Sequence, residues 1–476
     1  MRGERWHWAA LALGIFPGLA LALGDTTLAG AGAAPAAGSW GQPYPDQWGL
    51  ARIGLDGTAA TQKVLQDSCP SPQPVVVAVV DSGIDYLHPD LPRERLWVNP
   101  QEQLNGIDDD HDGFVDDVIG WNFVDDDNNP FDDSGHGTMI AGIIAAAGTR
   151  APGINPHARI MALKVLNALG HGRSSAIAAG VDFATAHGAR LINLSLGGSE
   201  PSALIAQAVS RALAAGVLVV MASGNEAREA VADGLPDGAG MLVVAATDTQ
   251  DARAPFSNWG AAVRLAAPGV DILSLRARGS DLIALSGASA YRPGAAIVGE
   301  DGEYYRASGT SFAAAIVTGV ASWMLACHPQ LSGPQVARIL TQSARDIGPP
   351  GLDPQTGYGL VDLRAALSAD PGFFIESQIN SASVVTLNGA PQLRVSGSAD
   401  ASRFAKAVVR AAPESYPNDW IELGGALTQP VHEGTLAQFD LRLMRGARRW
   451  LVQLSTQSDT GQSREARVLV DLGSAP

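Results

Sequence analysis

Long apolar runs recur along the first three quarters of the chain, and alanine-rich stretches of helical length separate them. Several runs are apolar throughout instead of alternating, which is typical of parallel strands covered on both faces. Strands interleaved with helices predict an α/β fold with a doubly wound, mostly parallel sheet. The predicted strands are residues 75–80, 159–166, 190–195, 217–221, 241–246 and 262–265, and the predicted helices are residues 137–147, 174–187, 202–215 and 311–326.

The pattern changes near residue 370. Residues 371–476 lack long helical patterns and contain short alternating segments, such as 392–397 and 450–455, with turn residues between them. Regularly spaced alternating segments are typical of a β-sandwich. The sequence therefore predicts an α/β domain over residues 44–370, followed by a small all-β sandwich domain over residues 371–476.

The first 24 residues have the pattern of a secretory signal peptide. Arg2 and Arg5 supply positive charge, residues 8–23 are mostly apolar, and residues 20–22 offer a small-x-small cleavage site. The apolar stretch is short for a membrane span, which needs about 20 residues, so a cleaved signal is favoured over a retained anchor. Residues 25–43 are expected to form a flexible leader. We therefore expect a secreted protein, extracellular or periplasmic, with no stable membrane span after cleavage.

Composition narrows the classes of partner. The chain has 476 residues and a formal net charge of −16. Its length exceeds what one hydrophobic core usually supports, which agrees with two domains. The acidic balance argues against a nucleic-acid partner, because binding to phosphates needs a basic surface. The oligomeric state stays open.

Three polar residues stand at the ends of predicted elements. Asp81 follows the first apolar run, His136 precedes the first helix, and Ser311 opens the last one. A serine hydroxyl becomes a useful nucleophile only when a base and an acid that orients the base are close to it. The order aspartate, histidine, serine is one of the known orders of a catalytic triad. We therefore expect Ser311 to be a nucleophile, His136 its base and Asp81 the orienting acid.

Five motifs resemble the signatures of the subtilisin-like serine peptidases, in that family's order, and the likeness covers roughly residues 44–367. One such motif alone would be weak evidence, whereas five in order are specific. The motifs are Asp81-Ser-Gly-Ile-Asp85 with His88 and Leu91 behind it, His136-Gly-Thr-x-x-Ala-Gly142, Ser195-Leu196-Gly197-Gly198, Ser223-Gly224-Asn225 and Gly309-Thr-Ser-Phe-Ala313.

The resemblance implies further site residues. Asn225 would donate its side-chain amide to the developing oxyanion. An extended peptide substrate would pair with two strand edges, where glycines allow close approach of the backbone. The substrate-binding residues implied in this way are Ser195, Leu196 and Gly197 on one side, Gly170 and Gly172 on the other, and Gly224 at the specificity pocket.

The chain contains two cysteines, Cys69 and Cys327. An exported protein can form disulfides. In the fold that the resemblance implies, the segment before the first catalytic strand runs near the far end of the nucleophile helix, which predicts a Cys69–Cys327 bridge. Two separate buried thiols are the alternative.

The C-terminal region shows a weaker resemblance, to the immunoglobulin-like β-modules appended to some bacterial subtilisin-like enzymes. It rests on Phe404, Pro417, Trp420, Gly434 and the segment 451–454. Structural packing and docking to a surface or substrate are both open as roles for this module.

Residues 102–133 contain twelve aspartates and glutamates and no lysine or arginine. Alternating carboxylates, a glycine and a following backbone carbonyl match the first half of an EF-hand-type loop and suit Ca²⁺. The match is incomplete, since Ile119 replaces the terminal glutamate, and a solvated acidic loop is the alternative. The expected calcium ligands are Asp108, Asp110, Asp112, the Phe114 carbonyl and Asp116, with Glu102, Asp109 and Asp117 as further candidates.

These patterns leave three functions. The favoured one is a secreted, calcium-stabilised serine endopeptidase that acts on proteins or peptides through an acyl-enzyme. The second is a peptide transamidase on the same site, for which the insertion 277–306 would have to exclude water. The third is a catalytically silent binding protein, against which the complete triad and Asn225 argue.

Overall fold

A computed structural model describes residues 5–7, 38–197, 202–230, 240–287, 291–349, 351–387, 389–413, 420–444 and 446–472. Apart from residues 5–7, the predicted signal peptide lies outside these ranges. The leader up to residue 37, Gly198 and Pro417 also lie outside the described residues.

The elements of the α/β region follow the predicted alternation. The predicted strands and helices are present, with ends that differ from the prediction by at most three residues. The strands are β1 (Arg5–His7), β2 (Val75–Asp81), β3 (Gly120–Asn122), β4 (Ala158–Lys164), β5 (His171–Arg173), β6 (Leu191–Leu194), β7 (Leu218–Ala222), β8 (Met241–Thr247), β9 (Val263–Pro268), β10 (Ile272–Leu275), β11 (Ile297–Val298) and β12 (Tyr304–Ala307). The helices are α1 (Trp48–Arg52), α2 (Ala59–Ser68), α3 (His136–Ala145), α4 (Ser174–Ala186), α5 (Ala203–Ala214), α6 (Leu282–Leu285), α7 (Thr310–Cys327), α8 (Gly333–Ser343) and α9 (Leu363–Ser368).

A seven-stranded sheet forms the centre of this region, in the order β3-β4-β2-β6-β7-β8-β9. All neighbouring strands in it are parallel. The strand order reverses at β2, and such a reversal opens a crevice at the carboxyl ends of the strands. The predicted doubly wound α/β sheet is therefore confirmed.

Helix α7 lies in the core, and each of its residues from Thr310 to Ala326 is buried. A helix that is apolar on all sides is stable only when it is covered on all sides. Among the described residues, α7 alone is long and apolar enough to cross a membrane, yet 94% of its apolar window is buried inside the protein. It is therefore read as the core helix of the α/β domain.

The predicted disulfide is confirmed: Cys69 and Cys327 are bonded, across a sequence separation of 258 residues. Cys69 follows α2 and Cys327 ends α7. Close by, the Gln73 N–H donates to the Ala326 carbonyl at 2.8 Å. The bridge ties the segment before β2 to the far end of α7.

The C-terminal region is all β, as predicted, and has its own hydrophobic core. Alternation of buried and exposed positions places one face of each sheet on that core. The strands are β13 (Ile375–Leu387), β14 (Ala390–Ala401), β15 (Phe404–Pro413), β16 (Ile421–Glu422), β17 (Val431–Asp440), β18 (Arg449–Ser458) and β19 (Ser463–Asp471), arranged as antiparallel sheets in the orders β13-β14-β17 and β16-β15-β18-β19.

Candidate active site

Three elements bring the predicted triad residues to one place. Asp81 ends the central strand β2, and His136 is the first residue of α3. Ser311 lies in the first turn of α7, and its neighbour Phe312 has its ring 5.8 Å from the His136 ring. Polar side chains at the carboxyl end of a parallel sheet and at helix N-termini are the usual makings of a site in such folds.

A short, buried contact joins His136 to Asp81. The His136 Nδ1 lies 2.7 Å from Asp81 Oδ1, and the two side chains are 2% and 0% exposed. The same oxygen accepts the Ser82 N–H at 2.7 Å. Because a carboxylate only accepts hydrogen bonds, Nδ1 carries the proton and the other ring nitrogen, Nε2, presents a lone pair.

The Ser311 hydroxyl lies in a buried, polar setting. Its Oγ donates to the Ser195 carbonyl at 3.2 Å, and the Ser195 hydroxyl in turn donates to the Ser311 carbonyl at 3.0 Å. Asn193 donates to the Ser195 hydroxyl at 2.7 Å. The start of α7 is thus fixed against the segment that follows β6, and the dipole of α7 favours negative charge at this point.

Asn225 is oriented by Thr310. The Asn225 Oδ1 accepts the Thr310 N–H at 2.8 Å and the Thr310 hydroxyl at 2.9 Å. Its amide nitrogen lies on the side of Gly309, where an added Cβ would stand 3.6 Å from it. The amide end of Asn225 is therefore held beside the residues that immediately precede Ser311.

Glycines shape the segments predicted to receive substrate. Gly224 has a φ of 102°, and its N–H donates to the Thr310 hydroxyl at 3.1 Å. Gly172 bridges Leu166, and an added Cβ there would come within 2.6 Å of the Val165 carbonyl oxygen. Strand β1 pairs antiparallel with β5, so the edge that contains Gly172 accepts an added strand. Leu196 is buried, and Gly197 is partly exposed beside it.

The predicted calcium ligands separate into two sets. Asp108 accepts the N–H groups of Asp112 and Gly113, while Asp116 accepts those of Asn105 and Gly106. The Phe114 ring packs with three aromatic rings, those of Trp121, Phe123 and Phe183. Asp110 and Asp112 instead point into a cluster of ionisable groups.

That cluster contains two groups of ligand atoms within 4.8 Å of one another: Glu102 with Asp110 and Asp117, and Asp110 with Asp112 and His187. Burial raises the pKa of Asp117 to about 6, although a hydrogen bond from Asn99 opposes the shift. Sequence reasoning named Glu102 and Asp117 only as further candidates and missed His187, which lies far from the loop in sequence and gives no local signal.

A second residue without a sequence prediction is Asp132, which is fully buried beside the start of α3. Its carboxylate accepts hydrogen bonds from the Ser82 and Thr138 hydroxyls and from the N–H groups of Ser134, Gly135 and Thr138. Burial raises the pKa of Asp132 against the effect of these bonds. Its position just before a helix start was the available signal.

Comparison with known proteins adds independent findings. The model of the subtilase family (Peptidase_S8) matches residues 73–359. Subtilisin Savinase from Lederbergia lenta is 34% identical over 321 residues, covering 67% of this chain and 97% of that protein. An alkaline protease from Alkalihalobacillus alcalophilus is 34% identical over 321 residues, covering 67% and 69%. The cell wall-associated protease of Bacillus subtilis is 31% identical over 366 residues, covering 68% and 35%.

A parallel α/β sheet that presents a buried histidine–aspartate pair beside a helix-start serine defines a class of serine hydrolases. The family match spans more than half of the residues, and the likeness to Savinase spans almost all of that protein. The chain therefore belongs to the subtilase family and is a serine endopeptidase of the subtilisin type.

Proposed function

We propose that the protein hydrolyses peptide bonds through Ser311, His136 and Asp81, with Asn225 as an oxyanion donor. The buried 2.7 Å contact between His136 and Asp81 carries this proposal. This contact fixes the direction in which the His136 ring faces. The serine at the adjacent helix start is the nucleophile that this base would activate.

The chemistry follows from the positions of the protons. In this state the Ser311 hydroxyl donates to Ser195, so attack requires the hydroxyl to turn its proton to His136 Nε2. The Ser311 Oγ then bonds to the substrate carbonyl carbon, and His136 passes the proton to the leaving amine. Asp81 stabilises the transient imidazolium without itself becoming protonated. Water then repeats the sequence on the acyl-enzyme.

The oxyanion would be stabilised by groups that are already in place. Thr310 fixes the carbonyl end of Asn225, so the amide end is presented without reorganisation. Preorganised donors act most strongly where water is excluded. The Ser311 N–H, at the positive end of α7, would be the second donor.

Substrate would pair as an extended strand between the segment 195–197 and the segment 170–172. The pairing of β1 with β5 supports this proposal, because it occupies the same edge in the antiparallel direction. The segment around Gly224 would form the wall of the specificity pocket. Its small residues do not select one chemical class of substrate side chain.

Calcium and export complete the proposal. The group of Glu102, Asp110 and Asp117 offers only oxygen atoms, which suits Ca²⁺. The buried oxygens Asp110 Oδ1 and Asp117 Oδ2 accept no hydrogen bond within the described part of the chain, as expected of carboxylate oxygens that face a cation.

The N-terminal signal pattern, the disulfide and the cell wall-associated relative support a location outside the cytoplasm.

Labelling with a fluorophosphonate probe tests the nucleophile. We expect wild type to be labelled and Ser311→Ala to be neither labelled nor able to cleave a peptide substrate, because the hydroxyl is the attacking atom. Ser210→Ala is the matched control, since Ser210 is an exposed helical serine whose hydroxyl donates to the Ala206 carbonyl of its own helix. Labelling of a folded Ser311→Ala protein at the wild-type level would refute the assignment.

A further inference from the structure

The acidic cluster contains a nitrogen ligand that a calcium loop does not need. His187 follows α4, and its Nδ1 lies 2.9 Å from the Phe183 carbonyl. A carbonyl only accepts, so Nδ1 donates its proton there, and Nε2 is the ring nitrogen that faces the carboxylates. That Nε2 lies 2.9 Å from Asp112 Oδ2 and 3.7 Å from Asp117 Oδ2. Histidines that bind metals usually donate their other N–H to a carbonyl or carboxylate in this way.

The ring of His187 is held in this direction by its neighbours. It stacks on Phe183 with ring centroids 3.9 Å apart, and the Trp97 ring packs against it edge to face, with the two centroids 5.8 Å apart. The side chain is 12% exposed. A ring fixed in this way has little conformational freedom left to lose when a ligand binds.

In the described part of the chain, two carboxylates beside the ring each have one oxygen that lacks a hydrogen-bond donor, while Asn99 donates to the other oxygen of each. Asp117 is fully buried, and its Oδ2, which points at His187, accepts no hydrogen bond within the described residues. The same holds for Asp110 Oδ1. Neither carboxylate forms an ion pair with any lysine or arginine among the described residues. Glu102 and Asp117 are buried and Asp110 is half-buried, so these carboxylates beside one histidine leave negative charge that a bound cation would compensate.

We propose that Asp110, Asp112 and His187 bind a divalent transition-metal ion of the zinc type, beside the all-oxygen group of Glu102, Asp110 and Asp117. Imidazole nitrogen with carboxylate oxygen suits zinc, whereas Ca²⁺ prefers oxygen alone. Asp110 is common to both groups, so the two ions would share one carboxylate. The inference rests on the proposal that this loop binds cations, and it assigns His187 as the residue that distinguishes the two metals.

Metal titration of the chelator-treated full chain tests the inference. The Ser311→Ala background keeps the chain intact, and Zn²⁺ and Ca²⁺ are titrated separately by calorimetry. We expect His187→Gln to weaken zinc binding at least about tenfold while calcium binding is unchanged. His157→Gln is the matched control, because His157 is also a half-buried histidine packed on an aromatic ring, that of Trp323. This variant should bind both ions as tightly as the protein without it.

Two further measurements guard against a loss of folding. Asp112→Asn changes a ligand that only the zinc group uses, so it should show the same selective loss as His187→Gln. Co²⁺ in place of zinc should give visible absorption bands in wild type that change in His187→Gln, since they report nitrogen coordination. Equal zinc affinity of wild type and both variants, or no zinc binding by wild type, would overturn the inference. If the Ser311→Ala chain binds neither ion while the chain that keeps Ser311 is still labelled by the probe, both cation proposals fall and the peptidase proposal stands.

Discussion

At the scale of single residues, the most informative contact is the pair of hydrogen bonds by which Thr310 orients the Asn225 side chain. One side chain receives two hydrogen bonds on its oxygen, and the orientation of its nitrogen follows. An asparagine left free to rotate would present its oxygen to the oxyanion for part of the time and would repel it. The neighbouring threonine would therefore decide whether Asn225, as the proposed donor, can stabilise the transition state.

We expect Asn225→Ala to lower kcat by about 10²–10³ with little change in KM, because the donor acts on charge that develops only in the transition state. Steady-state kinetics on a peptide substrate measures both constants. Thr310→Ser keeps the hydroxyl and the N–H that hold Asn225, so it serves as the control and should stay near wild type. A loss below tenfold in Asn225→Ala would show that other donors carry the oxyanion.

The sequence predicted these residues because their motifs are local. Ser223-Gly224-Asn225 and Gly309-Thr-Ser are short stretches whose types can be recognised without coordinates. The contact between them joins residues 85 positions apart. The sequence therefore named the proposed donor, whereas the contact that orients it came from the structure.

At the scale of elements, the start of α3 is the critical point, since His136 is its first residue. The preceding residue Gly135 adopts a φ of 101° and, as a glycine, has no side chain that could cap the helix. Asp132 supplies the acceptors instead and connects the helix start to Ser82, next to Asp81. One buried carboxylate thus fixes the two elements that carry His136 and Asp81 relative to each other.

Removing that carboxylate should destabilise the fold. In Asp132→Ala, three backbone N–H groups and two hydroxyls lose their acceptor, and each buried unsatisfied donor costs about 1–3 kcal/mol. We expect the free energy of unfolding to fall by at least about 3 kcal/mol, measured by urea denaturation in the Ser311→Ala background. Asp67→Ala is the control, because Asp67 forms an exposed pair with Lys63, and should change stability by less than about 1 kcal/mol. Equal stability of the two variants would contradict this role for Asp132.

At the scale of the whole molecule, the Cys69–Cys327 bridge closes a long loop that contains the triad residues and the acidic cluster. A crosslink of this kind restricts the unfolded chain more than the folded one. It also joins α2 to the end of α7, the helix around which the α/β domain is packed.

We expect the double variant Cys69→Ala, Cys327→Ala to lose about 2–5 kcal/mol of unfolding free energy, because the unfolded chain regains the freedom that the bridge removes. Thermal melting with and without a reducing agent measures the effect in the Ser311→Ala background. The reducing agent should lower the melting temperature of the bridged protein and leave that of the double variant unchanged. A bridged protein that melts at the same temperature under both conditions would contradict the expectation.

The sequence by itself determined the class of fold and most element boundaries, and together with the family resemblance it predicted the triad residues and the cysteine pairing. Apolar periodicity and short motifs are local properties, and the family resemblance supplied their arrangement. Only the tertiary structure decided which carboxylates of the acidic loop converge, that His187 joins them, and that Asp132 connects the start of α3 to Ser82. These depend on contacts between residues far apart along the chain, whose side-chain directions are set by packing and leave no periodic trace in the sequence.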